Sequence, residues 1–296
     1  MAGRLAAATL ALIGCTACSA PPVPHQVIPV ASTSCAPSSP PGGVGAPMGD
    51  LPGWHQIFVD DFNRCSLGSS WSLYSGQPGG NPNGWWDPKM VSDQGGMLRL
   101  DSEKTATGWI SGGVSNHGVE QTYGRWEIRM RADNSDDISY HMLLWPAGND
   151  WPPEIDFAES AGPRTAISAF LHWVDTDGEN AQSGATVMGD FSQWHTVGVE
   201  WGPGVVRYLL DGVVWAEAHS KVMVPNEPMG LAMQAEAGAC QQREELGLPP
   251  CDPSGPHPDH VGVEVDWVAV YQPLPSELAR MQQAGPDPSA IQMTKQ

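Results

Sequence analysis

The chain of 296 residues is long enough for one large sandwich or barrel domain, or for two smaller ones. Its 33 acidic residues against 14 basic ones give a net charge of -19, and no cluster of Lys or Arg interrupts that field, which argues against nucleic acid or a polyanionic glycan as a partner. Only 16% of residues are charged, while Gly (34), Pro (28) and Trp (13) are abundant, a balance that points to turns and aromatic surfaces rather than long amphipathic helices.

Residues 1–20 join a short basic start at Arg4 to an apolar run from Leu5 to Gly14 and then small residues. This is the pattern of an export signal, too short for a membrane span. Leu12-Ile13-Gly14-Cys15 is similar to a bacterial lipobox, so the expectation is an exported bacterial protein. It is either lipid-anchored to the cell envelope through Cys15 or freely secreted after cleavage near Ala20. Residues 21–50 are Pro, Ser, Gly, Ala and Val with almost no charge, and read as a linker.

Between residues 51 and 273 the chain breaks into short β-branched and aromatic runs separated by turn residues: Gln56 to Phe62, Met97 to Ser102, Trp109 to Ser115, Arg125 to Ala132 and Ile155 to Glu159, then Ala166 to Trp173, His195 to Trp201, Val205 to Leu210, Gly230 to Gln234 and Val261 to Tyr271. Asp211-Gly212 between two of these runs signals a hairpin. No long stretch has helical periodicity, so the predicted fold is all-β, an antiparallel two-sheet sandwich in one domain over 51–273. In the tail, 274–296, Ser276 to Met281 predicts a short helix followed by a polar, frayed end.

Of six cysteines, Cys15 and Cys18 fall in the export signal. The other four, Cys35, Cys65, Cys240 and Cys251, predict two disulfides in an exported domain. Joining Cys240 to Cys251 closes a small loop and joining Cys35 to Cys65 ties the linker to the first strands, although spacing alone allows three connectivities and a free Cys35. No His/Cys cluster has the spacing of a zinc or redox site.

The chemistry concentrates at Glu154-Ile155-Asp156-Phe157-Ala158-Glu159, where three carboxylates interrupt an apolar strand. Glu154 and Asp156 share a face by alternation; Glu159 joins them only if an extra residue at Phe157-Ala158 forms a β-bulge. Two glutamates leaning together from that strand suit the gap of roughly 5 to 5.5 Å between the carboxyls of a retaining glycosidase, and Asp156 between them can share a proton with a neighbour.

These six residues resemble the E-x-D-x-x-E signature of glycoside hydrolase family 16, whose members include laminarinases, mixed-linkage β-glucanases, agarases and carrageenases on a concanavalin-like β-jelly-roll. Phe58-Val59-Asp60-Asp61-Phe62, Tyr123 to Arg131, Trp194 to Trp201, Asp211-Gly212 and Val265 to Tyr271 are similar to other strands and turns of that family. The resemblance implies Glu154 as nucleophile, Glu159 as general acid and then base, and Asp156 as the residue that tunes Glu154. Pro153, where the family usually has Gly, and Leu143-Leu144-Trp145-Pro146, in place of a tryptophan-first strand, are departures that bear on the sugar subsites.

For the cleft, Glu127 and Arg129 lie in the family's Y-G-x-x-E-x-R strand and are expected to contact sugar hydroxyls. Trp145 and Trp151 flank the carboxylate strand and can stack on pyranose faces. Trp85-Trp86 lines the rim or anchors its loop. By the resemblance His172 stands beside the acid/base, Gln234 offers a cleft amide with Glu236 following by alternation, and Asp266 holds a structural calcium on the convex side; His195 is read as structural. The reading is a retaining endo-hydrolase of a neutral β-glucan with β-1,3 or mixed linkages, acting as a monomer with a polysaccharide substrate and no organic cofactor. A transglycosylase on the same site and a non-catalytic lectin-like module are the alternatives.

Overall fold

The computed structural model describes residues 36–79, 81–116, 118–245 and 248–295. Residues 1–35, with the export-signal, lipobox, Cys15 and Cys35 expectations, lie outside the described residues. The compact unit is Ser34–Gln296, and its described residues form two packed β-sheets.

Alternation explains both sheets. In His260–Pro273 the residues Val261, Val263 and Val265 face the core, and a register shift between Val265 and Trp267 keeps Val268 and Val270 facing it as well. The opposite side of that strand, Trp267, Ala269 and Tyr271, forms a second apolar cluster with Trp54, Val205 and Met281. An outward apolar face must be covered. Helix Pro275–Gln283, which starts on proline, covers part of it with Met281; a Cβ at Gly202 would lie 2.8 Å from the Met281 sulfur, so the helix sits directly on the strand backbone. Residues 36–50 cover more: Gly42 N–H donates to Asp266, and Trp267 Nε1 donates to the Val44 carbonyl.

The compact unit is therefore wider than the 51–273 expected from sequence, and residues 36–50 do not hang free as a linker. The expected fraying of the C-terminal end is also corrected. Ile291–Gln292 adds a parallel strand to Val213–His219, Met293 is buried in the main core and Lys295 pairs with Asp175.

The larger sheet runs from Ile291–Gln292 through Val213–His219, Val205–Leu210, His195–Gly202, Gly124–Ala132, His260–Pro273, Leu98–Thr105 and Gly108–Ser111 to Gly84–Trp86, with Trp54–Asp60 and Val91–Asp93 alongside. The smaller sheet runs Asn180–Met188, Ala166–Val174, Glu154–Ala161, Ile138–Pro146, Met229–Ala237, Gly113–Ser115, Ser72–Leu73. Pairing is antiparallel except at two short contacts of the larger sheet, with Ile291–Gln292 and with Gly84–Trp86. Asp211 and Gly212 both take positive φ, at 49° and 80°, the conformation of a two-residue hairpin turn.

Candidate active site

The carboxylates are brought together by one irregularity. Toward Ile138–Pro146 the register steps from Asp156 opposite Leu143 to Ala158 opposite Met142, which leaves Phe157 as the extra residue; the pairing with Ala166–Val174 shifts over the same stretch. Ile155, Phe157 and Ala158 fill the core, and Glu154, Asp156 and Glu159 all take the other face. Without the bulge Glu159 would point into the sandwich.

Their environments differ. Asp156 is 1% exposed, and its Oδ2 has no hydrogen-bond partner, although His172 Nε2 lies 3.4 Å away. Burial, followed by repulsion from Glu159, raises the Asp156 carboxyl well above its ordinary value, so it keeps a proton. Glu154 is raised too, by burial and then by Asp156, but it accepts a hydrogen bond of 2.7 Å from the Trp151 indole, which favours its charged form. The pair thus carries one charge most readily on Glu154.

Glu159 faces His141, its cross-strand partner, whose Nδ1 contacts Glu159 Oε1. Burial alone would depress the imidazole; Glu159, Glu236 and Asp156 outweigh it and hold His141 protonated, up to about 10. The other ring nitrogen, Nε2, lies 3.1 Å from Ser139 Oγ, and that hydroxyl donates to the Glu236 carbonyl, so Nε2 is the donor toward Ser139. His141 carries a cation into a site of carboxylates. Sequence reasoning missed it, and only the pairing register of two neighbouring strands reveals it. The histidine beside Glu159 is therefore His141, whereas His172, expected there, stands opposite Glu154 and close to Asp156.

A cleft of about 760 Å³ opens above these groups. Trp145 and Trp151 line one part; Trp151 is 45% exposed, and Trp145 Nε1 donates to Asn149. Tyr74 and Trp86 line another, their rings 4.8 Å apart and the Trp86 indole donating to the Ala235 carbonyl. Gln234 and Glu236 both reach the cleft, where Gln234 and Asn81 donate to the two oxygens of Glu236. The rim near Gln241 and Gln242 belongs to helix Ala239–Glu245, pinned by the Cys240–Cys251 disulfide. Cys65 is also disulfide-bonded. Of the tryptophan pair, Trp86 is in the cleft and Trp85 is exposed outside its lining.

Two expected sugar contacts are elsewhere. Glu127 and Arg129 lie on Gly124–Ala132 of the larger sheet, whose inward residues Trp126, Ile128 and Met130 fill the core, so both charged side chains point outward, away from the cleft. Alternation was read correctly but the face was not: Glu127 accepts from Arg125 at 2.7 Å, and Arg129 donates to the Gly42 carbonyl at 2.7 Å. Among the described residues no Lys or Arg lines the cleft. The calcium expected at Asp266 does not fit its surroundings either. Asp266 accepts the Gly42 N–H at 2.9 Å, and the Arg129 guanidinium on the Gly42 carbonyl already supplies the positive charge, whereas calcium requires six to eight oxygens. His195 is held by Asp211 at 2.7 Å, on the larger sheet.

A profile described as glycosyl hydrolases family 16 matches residues 81–267. The endo-1,3-1,4-beta-glycanases ExsH and EglC of Rhizobium meliloti are 29% and 32% identical over 58% and 55% of this chain, which spans only 35% and 42% of their own lengths. The laminarinase catalytic domain of Thermotoga maritima superposes with a TM-score of 0.62 at 19% identity, covering 75% of this chain and 100% of that domain, a likeness of fold.

Proposed function

The chain belongs to glycosyl hydrolase family 16, and on that premise we propose that it is an endo-hydrolase of a neutral β-glucan with β-1,3 or mixed β-1,3-1,4 linkages, working with retention of configuration. The observation that carries the reading is the bulge at Phe157, which turns Glu154 and Glu159 into one cleft with Asp156 buried beneath it on the same strand face. In the first step a Glu154 oxygen bonds to the anomeric carbon as the bond to the leaving-group oxygen breaks, and Glu159 gives that oxygen its proton. In the second, Glu159 takes a proton from water, the water oxygen bonds to the anomeric carbon, and Glu154 leaves as a carboxylate. Trp151 fixes one Glu154 oxygen; Asp156, keeping its proton, leaves the charge to Glu154. His141 holds one oxygen of Glu159 and stabilises the carboxylate that forms when the proton has gone.

The substrate class rests on charge. Among the described residues Glu120, Glu154, Glu159 and Glu236 line the cleft and no Lys or Arg does, so a sulfated galactan meets repulsion while an uncharged chain does not. Its rings stack on Trp151, Trp145 and Trp86. Incubation with laminarin, lichenan, agarose and carrageenan, followed by product sizing, tests this. Laminarin or lichenan is expected to be cleaved at least about tenfold faster than any carrageenan, with little response to salt. Preferential cleavage of carrageenan would overturn the assignment. The leader pattern and the Cys240–Cys251 bond support action outside the cytoplasm, lipid-anchored or secreted; a mature N-terminus at Cys15 with added acyl mass marks the first, and an unmodified one after Ala20 the second.

A further inference from the structure

Beyond the main cleft lies a second hollow of about 210 Å³, walled by Asn83, Trp109, Asp137, Ala237, Gly238 and Cys240. Asn83 and Gly238 also line the cleft, so the two spaces adjoin across those two residues. The register explains why a half-buried tryptophan borders the hollow. Trp109 stands on Gly108–Ser111 between Lys104, its cross-strand partner, and Gly84, its partner on the parallel strand that carries Trp86 two residues further on. Ala237 covers the Gly84 flank, 3.4 Å from where a Cβ would stand, so the half-buried indole packs against the main core and presents its remaining surface to the hollow, with Lys104 Nζ 5.9 Å from the ring centroid. Residues paired in register share a face, so Trp109 points to the same side as Gly84 and Trp86, whose ring already lines the cleft.

The polar groups around the hollow suit hydroxyls. Asn83 Nδ2 donates to Gln241 at 2.6 Å, leaving its own oxygen available as an acceptor at the junction, and Asp137 faces the hollow while paired to His257 at 3.0 Å. Gly238 is a close approach: a Cβ there would lie 2.8 Å from Asn83 Nδ2, and φ is +95°. Asn83 packed on the Gly238 backbone forms a low wall between cleft and hollow, with no side chain at 238 to raise it. The hollow is smaller than the pockets that hold whole drug-sized ligands, and matched to a single ring.

We propose that this hollow is a distal glycan subsite, in which one sugar of the chain already seated in the main cleft passes Asn83 and Gly238 and stacks on Trp109. The subsite rests on the polysaccharide reading above and adds to it a dependence on chain length. Short oligosaccharides fill the cleft alone; longer ones gain the stacking contact.

Steady-state kinetics on a size ladder of β-glucan oligosaccharides and on laminarin test this, with the wild type, Trp109→Ala and Trp109→Phe. In Trp109→Ala, KM for the long chains is expected to rise about tenfold with kcat unchanged, while the shortest cleaved oligosaccharide keeps both constants; Trp109→Phe retains most of the long-chain advantage. If Trp109→Ala fails to fold, Trp109→Leu keeps an apolar side chain against the core and removes the stacking platform, and the same loss is expected. An equal effect on short and long substrates, including no effect on either, overturns the subsite while leaving the hydrolase reading intact. A wild type that cleaves no β-glucan of any length overturns that reading itself.

Discussion

Two faces of this sandwich carry alternating charged residues, and they use them in opposite ways. On the outer face of the larger sheet, Arg125, Glu200, Arg207 and Glu217 stand directly opposite one another on successive strands, a ladder in which each carboxylate meets a guanidinium. Glu217 is fully buried there, and burial alone would raise its carboxyl. Hydrogen bonds from Gln292, the Asp287 N–H and His219 outweigh burial and hold it below its ordinary value. At the cleft, Glu154 and the buried Asp156 beneath it lie together with no guanidinium among the described residues that line the cleft, and both are raised. Charge compensated in register stabilises a sheet; charge left uncompensated beside a cavity is available for proton and bond transfer.

Glu154→Gln should give the largest separation between the two faces. Turnover is expected to fall by at least about 10³-fold with the thermal midpoint unharmed, because an amide keeps the volume and loses only the nucleophile. Near wild-type turnover would remove Glu154 from the reaction. Glu159→Ala should lower glucan turnover by about 10² to 10⁴-fold, yet spare the first step on aryl glycosides with good leaving groups, with azide restoring the second. If activated substrates gain nothing over glucan, Glu159 is not the acid.

The opposite phenotype belongs to the ladder. Glu217→Ala leaves the buried Arg207 with only Glu200, 3.9 Å away, and is expected to cost about 3 kcal/mol in denaturant unfolding, with kcat per folded molecule unchanged. Since the folded Glu217 carboxyl is depressed, its contribution is present above the ordinary value of 4.5 and disappears as pH falls through the lower folded value. Asp156→Asn should do the reverse. The native carboxyl is raised, so the wild type loses stability as pH rises above 3.8, the unfolded value, and up to the folded one; the variant is expected to melt higher than wild type at neutral pH, with the gap closing near pH 4 and below. An unchanged gap across that range would contradict the raised carboxyl. The smallest effect on catalysis is expected from Arg129→Ala, which should leave kcat/KM on glucan within about twofold while lowering the melting temperature, since Arg129 holds Gly42 and not sugar.

Much of the site was legible because strand alternation is local. Three carboxylates in six residues of an apolar strand required a bulge to share a face, and the bulge residue is Phe157. The start of Ile138–Pro146 and all of Asn180–Met188 were not anticipated; Val213–His219 was implied only as the second arm of the Asp211-Gly212 hairpin. The first is nearly all buried and shows no alternation, and the second is an edge strand of Asn, Gln, Ser and Thr whose hydrogen bonds, not its composition, place it in the sheet. Missing the first half of Ile138–Pro146 meant missing His141.

By itself the sequence determined the chemistry that a strand can carry along its own length: which residues alternate, where a bulge must fall, and that Asp211-Gly212 turns a hairpin. Tertiary structure decided which sheet face meets solvent, and with it whether a charged pair serves as cleft or as cladding. Glu127 and Arg129 have the same period-two pattern as Gln234 and Glu236, but the first pair faces away from the cleft, toward Arg125 and Gly42, and the second faces the cleft. Period two specifies that neighbours point oppositely, and the choice of side is made by packing the two sheets on their buried residues, an interaction between segments far apart in the chain.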